Sequence, residues 1–138
     1  MIRISTEPTA EELKTLDERL EDYNVQKTGI DDAKPIGFTV YDDETLIGGL
    51  NGVTSFGWLY IATLWLEESH RHQGIGKQLL QAAEKEALSR GCQHACLTSF
   101  TFQAKPFYEM HGYKMFGQLD DYPEGEKMYF MQKVLKDY

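Results

Sequence analysis

Apolar and polar positions follow two different rhythms along this chain. Met1–Ser5 sets Ile2 and Ile4 between polar residues, the period-two pattern of a short first strand. From Thr9 the rhythm changes. Leu13, Leu16, Leu20 and Tyr23 fall three or four residues apart, the stripe that an amphipathic helix turns toward a core. Thr9 stands where an N-cap belongs, with Glu11 and Glu12 in the first turn. Gly29 and Pro35 bound a loop, and Ile36–Tyr41 returns to β-forming residues ahead of the turn Asp42-Asp43-Glu44. Thr45–Thr54 and Trp58–Leu66, joined near Ser55-Phe56-Gly57, complete an antiparallel meander.

The longest helical pattern is Gly74–Arg90. Ile75, Leu79, Ala82, Ala83, Ala87 and Leu88 lie near one apolar face, and the pattern assigns Gln81, Glu84, Lys85 and Arg90 to solvent. Gly91 ends the helix. Ala95–Ser99 follows as a strand, parallel to Trp58–Leu66 because a helix crosses between them. Ala104–His111 is a short helix closed by Gly112, with His111 at an end where a cation suits the helix dipole. Tyr113–Gln118 and Lys127–Leu135 form a last strand pair around the polar loop Asp120–Gly125. No repeat, linker or low-complexity stretch breaks the chain, so residues 1–138 are read as one domain.

The chemistry concentrates where Trp58–Leu66 runs through a polar loop into the main helix. There the sequence is Arg71-His72-Gln73-Gly74-Ile75-Gly76. Two glycines one residue apart permit a tight turn and remove the Cβ atoms that would fend off a ligand. The unbonded N–H groups of the helix start and its dipole then make an anion cradle, suited to a phosphate or pyrophosphate. Arg71 and Lys77 add full positive charges on its flanks. A ligand-free glycine turn is the alternative. The dinucleotide fingerprint fails on spacing, because Gly76 is followed by Lys77-Gln78-Leu79, and the Walker loop fails because Gln78 stands where Ser or Thr is needed.

Composition narrows the partners. The formal charge is −8, and the segment Glu7–Glu44 alone holds twelve acids and four bases, a net of −8, so the remainder sums to zero. An acidic surface argues against nucleic acid, whose binding depends on neutralising phosphates with Lys and Arg. No apolar run approaches the roughly 20 residues of a membrane span, which argues against a membrane partner. The opening MIRISTEPTAEELK lacks the basic start and apolar core of a signal peptide, and a cytoplasmic location is the expectation. Cys92 and Cys96, around His94, are too few for a metal site and too far apart for a comfortable disulfide, so both are read as reduced structural residues and no metal is expected.

The pattern Arg71-x-x-Gly74-x-Gly76 resembles the acetyl-CoA pyrophosphate loop of the GNAT superfamily of N-acyltransferases. A second stretch, Ala104-Lys105-Pro106-Phe107-Tyr108-Glu109-Met110-His111-Gly112-Tyr113, is similar to that family's Ala-x-x-Phe-Tyr-Glu-x-x-Gly-Phe signature, in the right order and at the right distance. Together the motifs and the elements between them cover roughly Trp58–Tyr113. One departure is visible: many members carry Asn three residues before the Ala of the second motif, where this chain has Thr101, with Gln103 nearby.

The resemblance implies a GNAT-like three-layer α/β (α+β) fold. Its central mixed sheet has about six to seven strands flanked by helices, and its central parallel strands splay apart. It implies acetyl-CoA as cosubstrate, with the pantetheine arm bonded to strand backbone near Leu64, Trp65 and Leu66 as an added strand would be. Arg71, His72 and the amides of Gln73, Gly74, Ile75, Gly76 and Lys77 would hold the pyrophosphate, with Thr101 or Gln103, and Phe107, further along the cofactor. Tyr108 is placed near the sulfur as proton donor to the thiolate, its alternative being a core aromatic beside Phe107. A base for the amine is harder to find, because Leu59–Leu66 contains no carboxylate. Glu67 is the candidate, with Glu68 beside it, each otherwise a solvated surface acid. His70 and His72 could add donors to the phosphates or stay in solvent, and Trp65 could wall the acyl pocket or pack the core.

The reading is therefore an N-acetyltransferase acting on a primary amine by direct attack in a ternary complex. A non-catalytic CoA-binding sensor and a protein acetyltransferase are the alternatives. The acceptor side of such folds lies between the first helical segment and the last strand pair. Here that means Glu11–Lys34 and Asp120–Glu126, both acid-rich, which predicts a small cationic amine, polyamine-like or aminoglycoside-like. A homodimer is left open as the assembly.

Overall fold

The computed structural model describes residues 1–136. The chain divides into two compact units, Met1–Asp31 and a larger one beginning at Asp32.

In the first unit, helix α1 spans Ala10–Thr28 and is capped at both ends by its own residues. The Glu12 amide donates to Thr9 Oγ1 at 3.0 Å, and the Thr9 amide donates to Glu12 Oε1 at 2.8 Å, a reciprocal capping box. Gly29, at φ 71°, closes the helix by donating to the Val25 carbonyl at 2.7 Å. Two expectations fail here. Met1–Ser5 is not a strand: a strand exists only where its backbone groups are paired, and none of these five residues enters the sheet. The stripe Leu13, Leu16, Leu20 and Tyr23 is exposed, and α1 buries no residue. A unit this short has no second layer of its own to cover the face of its single helix.

The second unit is built on a six-stranded mixed sheet, flanked by helices and ordered β1-β2-β3-β4-β6-β5. Strands β1 (Lys34–Asp42), β2 (Thr45–Ser55) and β3 (Trp58–Leu66) form the antiparallel meander. Helix α2 (Ile75–Ser89) then crosses to β4 (His94–Phe100), parallel to β3. Helix α3 (Lys105–Met110) leads into β5 (Lys114–Asp120) and β6 (Lys127–Val134), and β6 closes the far half of the sheet by pairing antiparallel with both β4 and β5.

The core lies where α2 meets the sheet. Leu79, Leu80, Ala83 and Ala87 pack with Leu59 and Ile61 of β3, Ala95 and Leu97 of β4, and Tyr108 and Tyr113. Two alanines with no exposed surface let the helix approach the sheet closely.

Two residues assigned to solvent are instead inside. Glu84 is 1% exposed and accepts from the Tyr113 hydroxyl at 2.9 Å and from Lys133 Nζ at 2.8 Å. Four residues after Leu80 and three before Ala87, it sits in the middle of the buried stripe, and the carboxylate stays there because the phenol and the ammonium satisfy it. Arg90 is half-buried and donates to Thr54 Oγ1 at 3.0 Å and to the Pro35 carbonyl at 3.2 Å, tying the end of α2 to β1 and β2.

Candidate active site

The parallel pairing of β3 with β4 is short. It runs from Trp58↔His94 to Ile61↔Leu97 and stops. At that point β3 carries a bulge: Asn51 faces Thr63 and Gly52 faces Ile61, leaving Ala62 as the extra residue. A bulge bends the strand and shifts its alternation by one. Before it, Leu59 and Ile61 face the α2 core; after it, Leu64 and Leu66 do. Thr63, Trp65 and Glu67 therefore lie on the opposite face. Beyond the bulge the β4-facing edge of β3 has no strand beside it, so its peptide groups can pair with an extended ligand.

The start of α2 lies on the core face of the same gap. Its N-cap is Gly74 at φ 82°, it has no side-chain cap and no acid in the first turn. The first helical amides are thus unpaired and unopposed by negative charge, the requirement for holding a phosphate. The turn leading in is held in the left-handed region at His72 as well, with φ 63°. A Cβ at Gly76 would stand 3.3 Å from the Phe107 ring and 3.7 Å from Leu66 Cδ1. The cradle, the end of β3 and α3 therefore converge on that glycine. Gln73 and Lys77 are exposed beside it, and Ile75 is half-buried against the core.

Arg71 lies along the end of β3, its Nε donating to the Leu66 carbonyl at 3.0 Å and its guanidinium 4.7 Å from the Trp65 ring centroid. This fixes the arm while leaving its terminal nitrogens available. His70 turns the other way, with Nε2 2.8 Å from Asp42 Oδ2 and Nδ1 2.9 Å from Ser69 Oγ, so it pins the loop rather than facing the cradle.

Tyr108 is buried, and burial pushes its phenol up to about 12, so it stays protonated across any physiological pH. Its ring is held edge-on by Phe107 at 5.3 Å and Tyr113 at 5.8 Å. His111 is not the cation that suits a helix end. Burial, then the charges of Lys77 and Lys133, hold it below the usual imidazole value.

Thr101 and Gln103 both have protein partners. Thr101 Oγ1 donates to the Glu126 carboxylate and accepts from the Lys127 amide, and Gln103 Oε1 accepts from the Phe100 amide at 2.8 Å. Thr101 fastens the turn after β4 to the β5–β6 loop, and Gln103 closes that turn on itself. Ser99, two residues beyond the last β3–β4 pair, is a buried hydroxyl without a hydrogen-bond partner among the described residues.

On the other face, Glu67 and Trp65 line a hollow of about 270 Å³ with Thr39, Leu46, Asn51 and Thr63. The sequence reading missed the last four as site residues. Their signal was the pair Gly48-Gly49 inside a strand, which marks a close backbone approach. Both free cysteines are in place as reduced thiols, Cys92 buried and Cys96 half-buried. No helix among the described residues is long and apolar enough to cross a membrane.

Comparison with known proteins gives the family. Residues 2–113 match the acetyltransferase (GNAT) family. The chain belongs to the GNAT acetyltransferase family. It is 35% identical over 125 residues to the acetyltransferase Atu2258 of Agrobacterium fabrum, covering 90% of this chain and 91% of that protein. It is 30% identical over 116 residues to the blasticidin-S acetyltransferase of Streptomyces morookaense, covering 80% and 85%. The crystal structure of an acetyltransferase from Bacillus cereus superposes with a TM-score of 0.86 at 33% identity, covering 96% of this chain and 98% of that one. This GNAT acetyltransferase is an acyltransferase enzyme on a mixed six-stranded α+β fold.

Proposed function

We propose that the chain, acting as one N-acetyltransferase domain, transfers an acetyl group from acetyl-CoA to a primary amine by direct attack in a ternary complex. The observation that carries this reading is the end of β3–β4 pairing at Ile61 and Leu97, which opens a passage between the two faces. The uncapped helix start lies on one face and the Glu67 hollow on the other. Acetyl-CoA fits the first face: amides Gln73–Lys77 take the pyrophosphate, the free edge of Leu64–Leu66 takes the pantetheine amides, and Arg71 at the end of β3 adds its positive charge from the strand edge.

The amine nitrogen bonds to the acetyl carbon as the carbon–sulfur bond breaks. Glu67 accepts the nitrogen's proton once the new bond has made it acidic, directly or through one water. Tyr108 donates a hydrogen bond to the departing thiolate. The position of Tyr108 in its motif favours this reading over a CoA-binding sensor, which has no use for a proton donor at the sulfur. The blasticidin-S acetyltransferase relative supports a small-molecule acceptor over a protein one.

The test is thiol release from acetyl-CoA across an amine panel, with the acetylated product identified by mass spectrometry. Calorimetric CoA binding without thiol release from any amine would mean a sensor, and no CoA binding would remove the reading altogether.

A further inference from the structure

We infer that an aromatic hollow at the end of β4 is a second subsite for the acceptor, taking a flat cation, a guanidinium or amidinium, remote from the nitrogen that is acetylated. This rests on the acetyl-transfer reading, and three observations carry it.

The first is place. Along β4, the buried residues Ala95, Leu97 and Ser99 alternate with half-buried ones, and Ala95 and Leu97 pack with α2. Phe100 therefore projects from the opposite face, the face on which Glu67 lies. It stands three residues past the last β3–β4 pair, across the open gap from the end of β3. An acceptor whose amine reaches the gap thus meets this hollow on the β4 side and the Glu67 hollow on the β3 side.

The second is shape. The hollow, of about 350 Å³, is lined by Phe100, Phe102, Asp121, Tyr122 and Pro123. The Phe102 ring lies 5.1 Å from Phe100, centroid to centroid, with 5° between their planes, and Tyr122 lies 5.6 Å away at 22°. Three rings share nearly one orientation, so a flat group can lie along them, whereas a tetrahedral ammonium makes less contact. Phe102 is 61% exposed and Tyr122 48%, so both keep ring surface free for a ligand. The walls are also fixed in advance. The Tyr122 amide donates to the Glu126 carbonyl at 3.2 Å, and the Glu126 amide to the Pro123 carbonyl at 2.8 Å.

The third is charge. Asp121 supplies the one carboxylate of the lining. Its Oδ1 accepts from the Gly125 amide at 3.3 Å, leaving Oδ2 for a ligand, and the neighbouring base Lys127 is held by Asp120 at 2.7 Å. A carboxylate beside aromatic faces suits a delocalised cation, which stacks on a ring while its N–H groups pair with the oxygens.

The probe is benzamidine, titrated into the protein and followed by NMR of the aromatic side chains. Benzyl alcohol, flat but uncharged, and tetramethylammonium, charged but not flat, are the controls. Benzamidine should move the Phe102 and Tyr122 ring signals and bind at least about fivefold more tightly than either control. Asp121→Asn should weaken it about fivefold, the size of an exposed ion pair. Phe102→Ala, at an exposed position, should weaken it by a similar factor. In thiol-release assays benzamidine should raise the KM for the amine and leave that for acetyl-CoA unchanged. Equal binding of benzamidine and the controls, or binding untouched by both substitutions, overturns the inference while acetyl transfer stands, as does competition with acetyl-CoA instead of the amine. Binding as expected in a protein that releases no thiol with any amine leaves a flat-cation site and removes the acetyl-transfer reading, and with it the assignment to an acceptor.

Discussion

Replacing Tyr108 by Phe removes one oxygen from a side chain that is 8% exposed and whose ring packing is otherwise unchanged. The size of the effect follows from the state of that phenol. Burial raises its pKa to about 12, whereas a free thiol titrates near 8.5, so full proton transfer to the thiolate is uphill by about 3.5 units, or ~5 kcal/mol. Tyr108 therefore acts by donating a strong hydrogen bond rather than by surrendering its proton. A hydrogen bond to a charged group is worth about 1.5–3 kcal/mol, so kcat should fall roughly 10- to 150-fold with CoA affinity unchanged. Steady-state thiol release and calorimetry on the two proteins decide this. The stability readout has its own sign. The folded pKa lies above the unfolded value of 10, so this group's contribution is present below pH 10 and lost as the pH rises toward about 12. The Phe variant should lose less stability than wild type across that alkaline window, followed by chemical denaturation. An unchanged kcat would refute the assignment of Tyr108 to the sulfur and leave water as the donor.

Glu84→Ala leaves Lys133 and Tyr113 without the buried carboxylate they share, and should cost about 3–5 kcal/mol in a urea titration. Glu84→Gln, which still accepts from the phenol, should cost visibly less. Gly76→Ala puts a Cβ 3.3 Å from the Phe107 ring, so the ring must yield by a few tenths of an ångström. CoA affinity should weaken several-fold by calorimetry, and Gly76→Ala with Phe107→Leu should recover much of it; no recovery would mean that the loss arises at the phosphates instead.

What the sequence determined by itself is local. The α2 stripe, the two glycines at its start and the order of strands are written in spacings that hold whatever the rest of the chain does, because helix and strand periods are backbone properties. The second motif placed Tyr108, and its burial followed. Even the bulge left a trace, since the leucines and isoleucine of β3 fall at 59, 61, 64 and 66 and so change phase at Ala62.

Tertiary structure decided everything that depends on a neighbour from elsewhere in the chain. Ile2 and Ile4 alternate like a strand, yet no sheet edge pairs with them. The α1 stripe is amphipathic, yet nothing in its own unit covers it. Glu84 looked like a surface acid because its partners, Tyr113 and Lys133, are 29 and 49 residues away. The partners of Thr101 and Gln103, which are Glu126, Lys127 and Phe100, were likewise not legible in the sequence. The hollow beside Glu67 could not be foreseen for the same reason. It combines residues of β1, β2 and β3 that only strand register brings together, and register is set by pairing across the sheet rather than by any one strand's sequence.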